Sequence, residues 1–407
     1  MNMKSNGDQL IVLSWTGKYD DIDVKPGVLL YDNERSYGDQ NTKNLLIHGD
    51  NLLVLKTLEL EYAGKVKCIY IDPPYNSQIV FEHYSDKMEH TKWLRLMKAR
   101  LEILRVLLSG DGVIFVQIDN RELHYLKVIM DEIFGRQNYR NSIIVNSSTK
   151  KPTVQHDTVE RLNTGYDTIL MYSKEEDLRI PNPFIEVDNQ KNSGSWHSLW
   201  HSTNNPVYRF ELFGITPKQG EWRWSERRTF KAIDNYVKLE RYMDCYTFDY
   251  DNQDDFDFHY KQYLERNNLS VKDFEVVKLN MNSKPVYYIP PSNKVFLSEN
   301  WMDLKVNGDL TDFETECNEF ILFRILDWIS SPGDLVLDAF LGSGTTAAVA
   351  QKMERRWIGI ESGEQCYIHC ISRIKAVIDG KQDGISKAVS WNGGGGYKFM
   401  ELAPMKD

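Results

Sequence analysis

The stretch Gly333-Asp334-Leu335-Val336-Leu337-Asp338-Ala339-Phe340-Leu341-Gly342-Ser343-Gly344-Thr345-Thr346 decides how this chain folds. Residues 335–337 are a short apolar run of strand type. Gly342 and Gly344 follow as a tight turn in which the backbone can approach a ligand. The Ala-rich segment after Thr345, Ala347-Ala348-Val349-Ala350, predicts a helix whose unpaired N-terminal N–H groups face that ligand. Trp357-Ile358-Gly359-Ile360-Glu361 then reads as a second strand ending on an acid. Strand, glycine turn, helix, strand and acid form one nucleotide-type binding half of an α/β sheet, with the Glu361 carboxylate placed to accept hydrogen bonds from ribose hydroxyls. The spacing is shorter than the dinucleotide pattern Gly-x-Gly-x-x-Gly, which argues against NAD.

A second motif lies far upstream. Val66-Lys67-Cys68-Ile69-Tyr70-Ile71 reads as a buried strand, and Asp72-Pro73-Pro74-Tyr75 follows it. The two prolines lock φ and remove two N–H donors, so a carboxylate and an aromatic ring are held rigidly past a strand's carboxyl end. Open α/β sheets place ligands there. A carboxylate suits an exocyclic amine, and a tyrosine suits a planar base. The same four residues would also make an ordinary strand-ending turn. The glycine motif tips the reading towards a site.

Together these residues resemble the β class of DNA amino-methyltransferases, in which an Asp-Pro-Pro-Tyr catalytic motif precedes a Phe-x-Gly-x-Gly motif that binds S-adenosylmethionine. Leu46-Ile47-His48-Gly49-Asp50-Asn51 is similar to the element whose acid contacts the cofactor adenine. Residues 112–119 look like the next core strand, and residues 164–174 like the strand closing the target-base pocket. Within the class the chain looks most like modification subunits of type III restriction systems, and Glu221-Trp222-Arg223-Trp224-Ser225 resembles an element early in their recognition region. The resemblance covers most of 44–178 and 300–375 and is patchy between them.

The resemblance implies an α/β fold, a Rossmann-like S-adenosylmethionine-dependent methyltransferase sheet with an inserted target-recognition domain. It implies catalytic roles for Asp72, Pro73, Pro74 and Tyr75, and cofactor contacts from Asp50, Asp338, Phe340, Gly342, Gly344, Thr345 and Glu361. The implied reaction is site-specific methylation of adenine N6 in duplex DNA after base flipping, with no metal. Asp rather than Ser at the first motif position favours adenine over cytosine N4 in this family. Cytosine-N4 methylation, RNA adenine methylation and a modification subunit active only in a larger complex stay open. Both motifs are intact, which argues against a non-catalytic partner subunit. A glutamine methyltransferase of release factors is disfavoured, because that family has Asn where Asp72 stands. The implied partners are double-stranded DNA, a second copy of the chain in a homodimer and a helicase-nuclease restriction subunit. One departure stands out: the family often carries Thr-Glu-Lys-Pro-Glu where this chain has Thr315-Glu316-Cys317-Asn318-Glu319. A lysine contact to the methionine carboxylate is thereby in doubt, and helix N-terminal amides with Thr345 are the alternative.

Length and composition frame this reading. A chain of 407 residues with 41% hydrophobic content supports two domains, or one large domain with an insertion. No apolar run is long enough for a membrane span, and residues 1–9 are polar. Five cysteines (68, 245, 317, 366 and 370) show no disulfide or zinc spacing, as in reduced cytoplasmic proteins. Net charge is −10, with 59 acids against 49 bases, which is awkward for a DNA-binding protein. Local basic stretches outweigh the sum: Lys150 and Lys151 in one loop, and Arg223, Arg227 and Arg228 interleaved with Trp222, Trp224 and Phe230. These arginines and lysines are the candidate DNA contacts. The Asp-rich run 244–257 reads as a solvated loop or partner surface.

The expected organisation is an N-terminal extension (1–43), the catalytic half of the methyltransferase domain (44–178), a target-recognition domain (179–300), and the cofactor-binding half with a C-terminal tail (301–407). Apolar positions at helical spacing predict helices over 92–108 and 320–329.

Overall fold

The computed structural model describes residues 13–20, 24–77, 86–147, 162, 164–186, 193–246, 249, 252–313 and 315–403. Two compact units emerge, Met1–Asn182 with Ser298–Asp407, and Pro183–Leu297.

The larger unit is built on a ten-stranded sheet. Its first half runs β1 (Val28–Gly38), β2 (Leu45–His48), α1 (Asn51–Tyr62), β3 (Val66–Ile71), α2 (His90–Leu107), β4 (Leu108–Ile118), α3 (Leu123–Phe134), β5 (Tyr139–Asn146) and β6 (Tyr166–Ser173). The chain then passes through the second unit: β7 (Phe184–Glu186), β8 (Ser195–Ser198), β9 (Trp200–His201), β10 (Glu221–Trp222), α4 (Glu226–Met243), α5 (Gln253–Arg266), β11 (Val277–Leu279), β12 (Pro285–Ile289) and β13 (Lys294–Phe296). It returns through β14 (Asn300–Lys305), α6 (Glu319–Ile329), β15 (Leu335–Asp338), α7 (Thr345–Lys352), β16 (Arg356–Glu361), α8 (Ile371–Ile378) and β17 (Gly396–Ala403).

The sheet order is β1-β17-β2-β16-β15-β3-β4-β6-β5-β14. From β17 to β4 every neighbour is parallel. Such strands are buried on both faces, which is why they read as near-continuous apolar runs. Strand alternation sorts the side chains: Cys68 and Tyr70 of β3 pack with α6, α7 and α8 on one face, while Ile69 and Ile71 pack with α1, α2 and α3 on the other. Helices thus cover both faces, and β3 and β15, neighbours in the sheet, send their chains to opposite sides. That is a topological switch point, and the crevice at its carboxyl edge is where such sheets bind ligands. The two halves, distant in sequence, meet along the pairing of Val336 and Leu337 with Cys68 and Ile69.

Three departures from the sequence reading have simple causes. Residues 28–38 lie within the segment expected to be an extension, yet they pair with 396–403, expected to be tail, and both join the sheet. Neither strand has the apolar density of a central strand. β1 is an edge with Val28, Leu30 and Tyr31 exposed. The Asp run is in part the start of α5. Asn252 caps that helix, and Asp254 and Asp255 in its first turn complement the positive helix end. In α6 the buried stripe is Ile321, Leu322, Ile325, Leu326 and Ile329, while Phe320 faces out.

The second unit has its own core. Trp196, Leu239, Met243, Phe256, Tyr260 and Tyr288 join α4 and α5 to β8 and β12. Trp222 and Trp224 are buried in a second cluster with Leu199, Leu212 and Val277. These tryptophans fill a core and are not stacking platforms on the surface.

Candidate active site

The carboxyl ends of β3, β15 and β16 open into one cavity of about 570 Å³, large enough for a nucleoside-sized ligand. Its walls bring together every residue that the sequence assigned to catalysis, and Asp50, Asp338, Phe340, Gly342, Thr345 and Glu361 among those assigned to the cofactor. Gly344 sits between the lining residues Ser343 and Thr345 as the N-cap of α7.

The Asp-Pro-Pro-Tyr turn is held from outside. The Trp93 indole of α2, itself fully buried, donates to the Pro74 carbonyl at 2.7 Å. Asn76 takes a left-handed φ of 55°, which asparagine tolerates. Its N–H and that of Ser77 donate to Asp86 at 2.8 and 2.7 Å. The Tyr75 hydroxyl accepts from Gln117 Nε2 at 2.9 Å and donates to Asp167 Oδ2 at 3.1 Å, so the ring has a fixed plane. Gln117 Oε1 in turn accepts from Tyr70 at 2.8 Å. Asp167 and Gln117 were absent from the sequence-level candidates. Their one signal is a polar side chain in an otherwise apolar strand.

Three side chains on the cavity carry a buried polar atom without a hydrogen-bond partner among the described residues: Asp72 Oδ1, Ser77 Oγ and Gln365 Oε1, and Asp72 is the one carboxylate of the three. Asp72 is half-buried as a residue, with its Oδ1 shielded from solvent. Loss of hydration raises its pKa well above the carboxylate range, the nearby Tyr75 hydroxyl opposes this, and the charges of Asp167, Asp338 and Asp86 add to the rise. A buried acceptor without a donor is costly, of order 1–3 kcal/mol. A donor arriving with a ligand would satisfy it.

The cofactor side is a satisfied turn. Gly342 and Gly344 have φ of 57° and 90°, a region that β-carbons disfavour. A β-carbon on Gly342 would meet nothing closer than 3.6 Å, so backbone conformation, not crowding, requires the glycine. Asp338 Oδ1 accepts from Phe340 N at 2.9 Å, and Oδ2 from Thr346 Oγ1 at 2.5 Å. Asp338 therefore ties the turn to the first turn of α7. Burial nonetheless pushes its pKa up to about 7. Glu361 accepts from the backbone N–H of Gly342, Ser362 and Gly363 and from Gln365 Nε2, all at 2.8–3.0 Å. Asp50 caps α1 through Leu52 N and Leu53 N, and Arg100 lies 3.5 Å from its other oxygen. Asn51 donates to the Ala339 carbonyl at 2.6 Å, fastening α1 to the glycine turn. Helix-end amides, buried hydroxyls and an acid at the next strand's end, beside the Phe340 ring, suit a charged nucleoside cofactor.

The basic candidates are placed differently. Arg228 lies 4.1 Å above the Trp224 ring and donates to Glu275 at 2.8 Å. Arg223 donates to the Ser198 carbonyl at 3.2 Å. Arg227 and Arg228 line a groove at the start of α4 with Lys231 and Lys272. Lys150 and Lys151 lie outside the described residues. Cys366 and Cys370 are buried, and Cys370 Sγ contacts the Gly342 carbonyl at 3.1 Å, so they pack under the glycine turn. Among the described residues no helix is long and apolar enough to cross a membrane.

The DNA methylase family of N6/N4 methyltransferases matches residues 66–370, and the chain belongs to it. The chain is 34% identical over 416 residues to the probable type III restriction-modification enzyme HindVI Mod subunit of Haemophilus influenzae, covering 90% of this chain and 54% of that protein. It is 27% identical to the type II methyltransferase M.EcaI of Enterobacter cloacae, covering 78% of this chain and 66% of that protein. The chain thus spans about half to two thirds of the length of these relatives. Among solved structures, the M1.HpyAVI–SAM complex aligns with 15% identity and a TM-score of 0.41, covering 81% of this chain and 98% of that one.

Proposed function

We propose that this chain transfers a methyl group from S-adenosylmethionine to the exocyclic N6 of adenine in duplex DNA. The observation that carries the reading is Asp72 Oδ1, a buried acceptor without a donor on the cavity that also receives the glycine turn. When bound, the cofactor supplies an electrophilic methyl group on a sulfonium. Asp72 and the Pro73 carbonyl accept the two hydrogens of the incoming amine, which frees its lone pair from the ring and aims it. Tyr75, its ring fixed by Gln117 and Asp167, stacks on the base. A base reaches this cavity only by leaving the helix stack. Ser343, Thr345 and the amides of α7 hold the amino-acid end of the cofactor, and Glu361 faces the ribose hydroxyls. Asp72, with its raised pKa, also suits the proton that the methylated amine releases.

Residues 183–297 are the target-recognition unit in this reading, with Arg223, Arg227 and Lys231 as candidate phosphate contacts. The similarity to a Mod subunit supports work beside a restriction subunit, and a DNA substrate with reduced thiols fits the cytoplasm. A homodimer is the expected assembly. The test is incubation with labelled S-adenosylmethionine and, side by side, unmethylated duplex DNA and RNA, followed by nucleoside analysis. N6-methyl-2′-deoxyadenosine as the product supports the reading. N4-methylcytosine would overturn the choice of base, and label entering only RNA would overturn the DNA substrate.

A further inference from the structure

A buried ionic cluster lies directly behind the glycine turn, outside the cavity. Arg373 of α8, Glu316, Glu319 of α6 and Lys352 of α7 are each under 10% exposed. Arg373 Nη1 is 2.9 Å from Glu316 Oε1, and Nη2 is 3.0 Å from Glu319 Oε1. Lys352 bridges Glu319 at 2.8 Å and Asp383 at 3.0 Å. Glu316 Oε2 also receives Thr311 N at 2.7 Å. Removing one member of such a cluster leaves a buried charge uncompensated, so the arrangement is rigid.

The cluster touches the cavity at two points. Arg373 Nη1 donates to Thr345 Oγ1 at 2.9 Å and to Ser343 Oγ at 3.2 Å. Both hydroxyls line the cavity. A guanidinium only donates, so each hydroxyl oxygen spends a lone pair on it and keeps its own hydrogen to give. Thr345 gives its hydrogen towards the Cys317 carbonyl, 3.3 Å away. Ser343 Oγ has only a long contact of 3.3 Å to Thr345 Oγ1 for its hydrogen, and an acceptor in the cavity would replace it. The cations among the described lining residues, Arg100 and Arg121, are paired with Asp50 and Asp119. None of them stands at the glycine turn. Arg373 stands one hydroxyl away from the cavity at that turn.

We propose that Arg373 is a positioning residue for the carboxylate of the cofactor's amino-acid end. It sets Ser343 as a hydrogen-bond donor to the ligand, holds Thr345 in place beside it, and never touches the ligand itself. The inference rests on the S-adenosylmethionine reading above. It adds a selectivity: Arg373 matters for ligands that carry the amino-acid group and not for the nucleoside alone.

Calorimetry on the full chain separates the two. The ligands are S-adenosylhomocysteine and 5′-methylthioadenosine, which keeps the nucleoside thioether but lacks the amino-acid group. Arg373→Gln is expected to weaken S-adenosylhomocysteine about tenfold or more and methylthioadenosine less than about twofold, with Arg373→Lys recovering part of the loss. Ser343→Ala, which leaves the ionic cluster intact, is expected to show the same selectivity to a smaller degree should Arg373→Gln fail to fold. Equal losses for both ligands would make the cluster merely structural and overturn the inference, as would no loss in either variant. Failure of the wild-type chain to bind S-adenosylhomocysteine would overturn the cofactor reading itself, a distinct outcome.

Discussion

Asp338 ends β15 and Asp72 directly follows its parallel neighbour β3, and both carboxyls have raised pKa values. They differ in what surrounds their oxygens. Asp338 has a backbone N–H on one oxygen and a threonine hydroxyl on the other. Asp72 has an oxygen with no donor at all. The first carboxylate holds a turn in shape, while the second, in the proposed function, holds a place for a ligand.

The contrast is most easily broken by removing each carboxylate. Asp72→Ala should cost at least about a hundredfold in methyl transfer, the scale of one lost electrostatic contact in a transition state. Cofactor affinity by calorimetry should stay within about twofold, and the melting temperature should hold or rise, because an unpaired buried acceptor is gone. Asp338→Ala should behave in the opposite way. Phe340 N and Thr346 Oγ1 lose their partner, and chemical denaturation should show a loss of about 1–3 kcal/mol. A stable Asp338→Ala or an unstable Asp72→Ala would collapse the distinction.

Titration sharpens it further. A carboxyl whose pKa is raised on folding binds more protons in the folded chain. Its contribution to stability is then full below about 4 and is lost as pH rises through the folded value, about 7 for Asp338. Denaturation between about pH 4 and about pH 7 should show this fall, at about 1 kcal/mol or more, and Asp338→Asn should flatten it. Methyl transfer should run the other way. It needs ionised Asp72, so its rate should climb with pH along an acid limb lying above the ordinary carboxylate range. The smallest effect belongs to an exposed pair. A double-mutant cycle on Arg228 and Glu275 should give about 0.2–1 kcal/mol, because water already satisfies both charges.

Much of the site was legible because its parts are local. The glycine turn, Glu361 and the Asp-Pro-Pro-Tyr turn each carry their geometry in a few consecutive residues, and parallel strands announce themselves as apolar runs. What escaped notice is non-local. Gln117 and Asp167 acquire meaning only when β4 and β6 pair beside β3 and face Tyr75. Arg373 lies 28 residues from Thr345 in sequence but at 2.9 Å in space. The edge pair β1 and β17 has weak strand character and is fixed by partners more than 350 residues away. Trp222 and Trp224 misled in the other direction, because tryptophans among arginines read as an interface, whereas here they fill the core of the second unit.

The most direct measurement is single-turnover transfer from labelled S-adenosylmethionine to duplex DNA by the wild-type chain, Asp72→Ala and Asp338→Ala, with cofactor binding measured on the same preparations. The expected result is labelled N6-methyl-2′-deoxyadenosine from the wild type and no product from a folded, cofactor-binding Asp72→Ala. Transfer by Asp72→Ala at the wild-type rate would contradict the role of Asp72 and, with it, the functional reading of the cavity.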